Sequence, residues 1–305
     1  MNITPILDFI SDYNNKNGIS FDWYQGYPMS RCCSFKIGGN ASIAIFPYSI
    51  NSFESLIGFL LQDKILFKVI GNGTNLVPSD IGFDGALLIT KKMNSFSFTD
   101  TSLNAECGAG ITLLAKKACE LSLSGLEKLY GIPATVGGGV YMNCGAYNSQ
   151  ISDMLVSARC YHHEKKQIVT YSNSEMNFSY RHSRCKEEHI TVLSAEFCLS
   201  RGNKDEILSL MEEVMAKRKA SQPLEFPNAG SIFKRPENNF AGKLIEDAGL
   251  KGYKVGDAMV SPKHAGFIVN CGKATSDDVC ELIKYIKNTV YEKSGVSLEC
   301  EVEFL

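Results

Sequence analysis

Between Tyr130 and Tyr147 the chain reads YGIPATVGGGVYMNCGAY, placing Gly131, Gly137, Gly138, Gly139 and Gly145 within fifteen residues. Glycine gives up more backbone freedom on folding than any other residue, so this density is costly unless the main chain must come close to something. Ile132, Val136, Val140 and Met142 are interleaved with the glycines, which argues against a flexible surface loop. Asn143 adds an amide able to read a ring edge or a phosphate. No simple period fits the stretch, so neither helix nor strand is read into it.

A second glycine loop follows an apolar strand pattern: ILFKVIG runs into GNGTN at 71–75. Two glycines around Asn72 let backbone N–H groups turn inward and approach a ligand without Cβ obstruction, and a pyrophosphate fits such a nest. Taken alone, Gly and Asn in a tight turn mean only a tight turn. The dinucleotide fingerprint of doubly wound folds needs a third glycine opening a helix, and Leu76 stands there. GAGITLLA at 108–115 fails in the same way at Leu113, and no phosphate-binding GxxxxGK[ST] sequence occurs. A dinucleotide, if bound, uses another scaffold.

At 305 residues the chain exceeds one hydrophobic core and predicts two or three packed units. With 44% hydrophobic and 21% charged residues it has the composition of an ordinary globular protein. A net charge of −2, from 31 Lys and Arg against 33 Asp and Glu, supplies no field for a phosphate backbone, so nucleic acid is not expected as a partner. The opening segment has no basic n-region and carries Asp8 and Asp12 among its apolar residues, and no apolar run approaches bilayer length. A cytoplasmic protein without membrane association is expected. Eleven scattered cysteines without a C-x-x-C pair point to reduced, buried thiols rather than a disulfide framework or a metal site.

Along the chain, helices are predicted at the N-terminus, over 51–62 with Asn or Ser as N-cap, after Gly110, over 204–219, near 240–249 and over 275–293. Strands are predicted up to Pro47, over 65–71, over 86–90, within 154–199, over 266–270 and at the C-terminus. The pair His162-His163 falls in an expected solvated hairpin turn. The break SQPLEFP marks a domain junction.

The blocks GNGTNL, GIPATVGGGVYMNCGAY, YRHS, NAGSIFKRP, GKLIEDAGLKG, VSPKHAGFIVN and LECEV occur in that order between Phe35 and Val302. Together they resemble the UDP-N-acetylenolpyruvoylglucosamine reductase (MurB) family, in its compact branch without an extra tyrosine loop. The resemblance implies an α+β protein: a two-lobed FAD-binding fold of the vanillyl-alcohol oxidase type plus a C-terminal α+β substrate domain. The expected division is 1–66 and 67–200 for the flavin lobes and 201–305 for the UDP-sugar. It implies bound FAD, NADPH as hydride donor, and reduction of UDP-N-acetylglucosamine enolpyruvate to UDP-N-acetylmuramate in peptidoglycan precursor synthesis, by a monomer without a metal. Gly139, where the family often has alanine, and Gly256-Asp257, where Gly-Gly is usual, depart from the pattern.

Matching the motifs residue by residue, the resemblance implies that Arg181 faces the enolpyruvyl carboxylate, Ser231 donates the proton and Glu301 sits beside that carboxylate. Two carboxyl groups brought together do not both ionise cheaply, so Glu301 is expected to be protonated in the complex. Arg184, His182 and Glu299 are neighbours set aside by the pattern, and Lys263 and His264 are assigned structural or peripheral roles. Cofactor contacts are expected from Gly71, Asn72, Gly73, Thr74, Asn75 and Leu76, and from Gly131, Ile132, Pro133, Thr135, Val136, Gly137, Gly138, Asn143, Gly145 and Ala146. Tyr180, Gln222 and Arg235 are expected to touch the substrate. Two other readings stand beside this one: a different flavin oxidoreductase of the same fold, and a non-catalytic flavin-binding module.

Overall fold

The periodic apolar segments fold as helices for the reason their spacing gives: each lays one face on a core. A computed structural model describes every residue from Met1 to Leu305. Helix α1 (Thr4–Asn17) buries Ile6 and Ile10. Helix α2 (Ile50–Gln62) is opened by Ser49, whose side chain forms a capping box with Ser52, so the cap precedes the Asn51 or Ser52 expected from sequence. Helix α3 is Ile111–Glu120.

Contacts divide the chain into two units. The first comprises 1–25, 42–72 and 84–216; the second comprises 26–41, 73–83 and 217–305. The first unit holds a five-stranded antiparallel sheet in the order Gln167–Ser172, Leu155–His162, Ile190–Cys198, Ser102–Glu106, Phe96–Thr99. Its buried Leu103, Ala158, Leu193 and Phe197 share a core with Leu114 and Ala118 of α3. A four-stranded sheet, ordered Phe21–Pro28, Asn40–Pro47, Phe83–Ile89, Phe67–Ile70, lies mostly in the same unit.

The glycine-dense stretch contains a short helix that its sequence conceals, α4 (Val136–Met142). Thr135 caps it, accepting the Gly138 N–H at 3.4 Å, and Asn143 ends it in the left-handed conformation with φ 42°. Three glycines in one short helix oppose helix propensity, which is why no period betrays it. Tertiary packing explains two of them. A Cβ at Gly137 would stand 2.9 Å from Cys107 Cβ, and one at Gly139 would stand 2.7 Å from Ile111 Cδ1 and 3.2 Å from Cys144 Sγ. Gly139 therefore fits its own neighbours, which fill the place of the methyl group that an alanine would bring.

Helix α5 (Lys204–Ser221) leads into the second unit. There the antiparallel sheet runs Asn228–Ser231, Phe267–Asn270, Ala258–Val260, Lys254–Val255, with α6 (Ala241–Asp247) and α7 (Ser276–Ser294) packed beside it. Phe35, Ile37 and Val77 join Ile245, Val260, Ile268, Val279 and Leu282 in its core. Leu76–Val77 pairs in parallel with Glu303–Phe304. Residues 26–41 and 73–83 thus fold with the C-terminal stretch, whereas the expected boundaries at 66/67 and 200/201 follow the chain. Burial of Phe35 and closure of the main-chain hydrogen bonds at 76–77 account for the difference. Asp257 accepts the Lys273 N–H at 2.7 Å, a local tie that a glycine would lack.

His162 and His163 correct the expectation of solvated histidines. The turn occurs at 163–166, but His162 closes a strand and is buried, and His163 is half-buried with Nε2 2.9 Å from Thr191 Oγ1 and its ring 5.5 Å from that of Phe67. Burial, reinforced by His189 and His162, pushes His163 down to about 4. All eleven cysteines are free thiols; Cys198 and Cys280 are exposed. Burial, with Glu106 alongside, pushes Cys107 up to about 12, so it stays a protonated, inert thiol at neutral pH. No helix is long and apolar enough to cross a membrane, and no group of three or more His, Cys, Asp or Glu is placed to hold a metal ion.

Candidate active site

In the first unit the start of the GNGTN loop, Gly71 and Asn72, meets the glycine-dense stretch. Asn72 Nδ2 donates to the Pro133 carbonyl at 2.9 Å, and a Cβ at Gly71 would fall 2.2 Å from Thr135 Oγ1. Only glycine allows that approach. Gly131, with φ +84°, donates its N–H to Thr112 Oγ1 at 3.2 Å, and Thr112 Oγ1 in turn donates to the Ile132 carbonyl at 3.1 Å. Val136 and Gly137 donate to Ala109 and Cys107 carbonyls at 2.8 Å, pinning the start of α4.

Not every glycine here is explained by protein packing. A Cβ at Gly138 would meet nothing nearer than Thr135 Oγ1 at 3.6 Å, and one at Gly110 would meet nothing within 4 Å. Glycines whose missing side chain serves no neighbour in the chain are what a cradle for a close-lying ligand requires. The open space at Gly138, the second amide hydrogen of Asn72 and the hydroxyl hydrogen of Thr135 around them suit a pyrophosphate or a flavin edge, so the residues present fit a dinucleotide.

Arg181 lies in the same unit, in a two-residue turn closed by reciprocal Ser179–His182 main-chain hydrogen bonds of 3.2 Å. Its φ of +55° is left-handed. Arg181 Nη2 donates to the Gly145 carbonyl at 3.1 Å, and the guanidinium carbon lies 5.0 Å from the ring centre of Tyr180, which is exposed. Gly145 and Ala146 pair with Ser149 and Gln150. The alternatives nearby are committed elsewhere: Arg184 pairs with Glu188 at 2.6 Å and His182 faces Glu187 at 3.3 Å.

The second unit gathers another set. Ser231 ends the strand Asn228–Ser231 opposite Phe267, after a register shift that includes Gly230 at φ +76°. Glu301 N–H donates to the Ile232 carbonyl at 2.8 Å, and Phe233 bridges Cys300. Ser231 and Glu301 thus stand at adjoining positions of a short antiparallel contact. Asn75 Nδ2 donates to the Glu301 carbonyl at 3.0 Å, and the Asn75 carbonyl accepts from Glu303 N–H at 2.9 Å. At Gly73, φ +64°, a Cβ would lie 1.9 Å from the Cys32 carbonyl oxygen. Thr74 is half-buried beside it, and Leu76 begins the strand that pairs with Glu303.

Ser34, which no motif singles out, ties these pieces together. Its N–H donates to the Gly73 carbonyl at 3.0 Å and its hydroxyl to the Asn228 carbonyl at 2.6 Å. A serine in CCSFK carries no local signal; only long-range contact reveals it. Glu299 pairs with Lys234 at 2.6 Å and is well exposed. Gln222 is half-buried, its N–H held by the Arg218 carbonyl at 2.8 Å, and Arg235 is exposed with its guanidinium 4.7 Å from the Phe240 ring centre. Lys263 Nζ donates to the Lys219 carbonyl at 2.6 Å, and His264 Nδ1 accepts the Gly266 N–H at 3.1 Å. Burial lowers the pKa of His264. A groove of about 480 Å³ beside α1, lined by Asp8, Phe9, Asp12, Tyr13 and Phe59 among others, contains none of the predicted residues.

Comparison with known proteins adds an independent finding. Residues 222–305 match the family model described as UDP-N-acetylenolpyruvoylglucosamine reductase, C-terminal domain, and residues 41–170 match an FAD binding domain. A protein of Caldicellulosiruptor saccharolyticus named UDP-N-acetylenolpyruvoylglucosamine reductase is 46% identical over 289 residues, covering 94% of this chain and 93% of the relative. One of the same name from Listeria monocytogenes serotype 4a is 41% identical over 278 residues, covering 91% and 93%. The crystal structure of the reductase from Thermus caldophilus superposes with a TM-score of 0.79 at 32% identity, covering 93% of this chain and 98% of that one.

Proposed function

The chain belongs to the UDP-N-acetylenolpyruvoylglucosamine reductase family, and from that premise we infer how its residues divide the reaction. It is an FAD-dependent oxidoreductase that uses NADPH to reduce UDP-N-acetylglucosamine enolpyruvate to UDP-N-acetylmuramate, a step of peptidoglycan precursor synthesis. Its fold is α+β, the FAD-binding fold of the vanillyl-alcohol oxidase type joined to a C-terminal substrate domain. An oxidase of the same fold or a non-catalytic flavin module would leave the match over 222–305 without a reason.

Bound FAD, once reduced by NADPH, supplies hydride to the terminal carbon of the enolpyruvyl group. The chain's own residues then have two tasks, holding negative charge and delivering a proton. Arg181 presents a guanidinium fork to the enolpyruvyl carboxylate, where two charge-assisted hydrogen bonds strengthen as electron density moves into that group. Ser231 delivers its hydroxyl proton to the neighbouring carbon. A serine is a weak acid, so placement rather than a matched pKa carries the step. Glu301, protonated in the complex, donates a hydrogen bond beside the same carboxylate.

One observation supports this assignment: the Glu301 N–H to Ile232 carbonyl hydrogen bond of 2.8 Å, which ties the main chain at the proposed glutamate to the residue that follows the proposed proton donor. For the flavin, the support lies in Gly138, whose missing side chain would meet nothing nearer than 3.6 Å, and in the FAD binding domain match over 41–170; for the sugar, Tyr180, Gln222 and Arg235 are assigned contacts. The proposed division of labour is 1–66 and 67–200 for FAD and 201–305 for the UDP-sugar, with 26–41 and 73–83 folding with the last of these; the family matches at 41–170 and 222–305 support it. We assign a cytoplasmic protein without nucleic-acid or membrane partners, on the balanced charge and the lack of an apolar run of bilayer length.

The test is anaerobic absorbance spectroscopy of the FAD-loaded protein. NADPH should bleach the flavin and the enolpyruvyl sugar should restore its colour. In Ser231→Ala the bleaching should persist while restoration slows by about 10²-fold or more. Normal restoration in that variant would remove Ser231 from the reaction.

A further inference from the structure

Asn143, at the end of α4, is fully buried, and its carboxamide is committed inside the chain. Its Nδ2 donates to Gln150 Oε1 at 3.2 Å and to the Ser179 carbonyl at 3.1 Å, while its Oδ1 accepts the Ser152 N–H at 3.1 Å. A buried amide satisfied on both sides is a fixed point of the structure. Ser179 opens the turn that carries Arg181, and the same carbonyl accepts the His182 N–H. Asn143 therefore grips the turn where it closes.

The exit of the turn is held as well. Ser183 is fully buried and donates its hydroxyl to the Tyr141 carbonyl at 2.8 Å. Between these two ties Arg181 itself reaches the Gly145 carbonyl. All three connections land on residues 141, 143 and 145, the end of the glycine-dense segment. The turn needs external support, because Arg181 occupies left-handed backbone space, which disfavours a residue with a long side chain.

We propose that Asn143 and Ser183 are positioning residues for Arg181. They clamp the strained turn onto the end of the glycine-dense segment and so set where the guanidinium meets the sugar carboxylate. The inference rests on the reading of Arg181 as the residue facing that carboxylate. The carboxamide of Asn143, expected from sequence to read a ring edge or a phosphate, is instead committed inside the chain to this clamp. A misplacement of about 1 Å in such a group can cost about 10²-fold in rate, so the effect is measurable.

The experiment follows the two half-reactions of the FAD-loaded enzyme separately by anaerobic stopped-flow in Ser183→Ala, Asn143→Gly, Arg181→Gln and the two double variants. Glycine at 143 keeps the left-handed backbone and deletes only the carboxamide. In Ser183→Ala and Asn143→Gly, reoxidation by the enolpyruvyl sugar should slow at least about tenfold more than reduction by NADPH. In the Arg181→Gln background each should add less than about twofold, since residues that act as one unit are not additive. Amide hydrogen exchange over 179–183 should also quicken in the Ser183→Ala protein. Equal slowing of both half-reactions, or full additivity with Arg181→Gln, would overturn the positioning role. Normal sugar reduction in Arg181→Gln would instead sink the reading of Arg181. If Asn143→Gly does not fold, Ser183→Ala, which loses a single oxygen, still decides the question.

Discussion

His163 illustrates how one residue's environment becomes a property of the fold. Its imidazole is held neutral down to about pH 4, chiefly by burial and secondarily by His189 and His162. In the unfolded chain the same ring protonates below its ordinary 6.5. Between those values the unfolded state binds more protons, so stability is lost as pH falls from about 6.5 to about 4 and the contribution levels off below that. Replacing His163 with Gln, which still reaches Thr191, should make the fall in denaturant-measured stability across this window shallower than in the unsubstituted protein. Identical slopes would mean that the histidine titrates alike in both states. The sequence placed both histidines in a turn; the turn lies at 163–166, and His162 instead closes the strand before it. The half-buried place of His163 goes with Phe67 and Thr191, which are distant in sequence.

At the scale of an element, α4 separates two uses of glycine that look identical in the string VGGG. Gly137 lacks a side chain because Cys107 stands in the way, whereas Gly138 faces open space beyond Thr135 Oγ1. Alanine in a helix interior gains about 1 kcal/mol over glycine, and overpacking costs about 1–3 kcal/mol. Gly138→Ala should therefore raise the melting temperature of the FAD-free protein by about 2 °C yet weaken FAD binding, measured by titration of the free flavin. Gly137→Ala should lower the melting temperature. A Gly138→Ala protein with unchanged FAD affinity would show that this glycine is not part of the cradle. Other elements announced themselves by their apolar spacing: α2 and α7, whose capping boxes at Ser49 with Ser52 and at Thr275 with Asp278 the structure adds.

At the scale of the whole molecule, the second unit is discontinuous in sequence. Phe35, Ile37 and Val77 are each buried in its core, although they arrive from the N-terminal quarter of the chain. Fully burying such side chains contributes about 1.5–3 kcal/mol each, which together rivals the total stability of about 5–15 kcal/mol of a typical domain. A fragment of residues 217–305 should consequently be unfolded, with a poorly dispersed amide proton spectrum, even though 222–305 matches a family model by itself. A well-dispersed spectrum would show that the segments 26–41 and 73–83 are dispensable for that core.

By itself the sequence determined the helices with periodic apolar faces, the two glycine loops, the family and its flavin chemistry, because each of these is written in local spacing or in ordered blocks. It also named Arg181, Ser231 and Glu301 as candidates. Only the tertiary structure decided that Ser231 and Glu301 adjoin across a short strand contact, that Ser34 ties Gly73 to Asn228, and that the buried amide of Asn143 holds the turn of Arg181. The physical reason is the same in each case. A hydrogen bond between residues 36 to 194 positions apart leaves no mark on the local pattern of either partner.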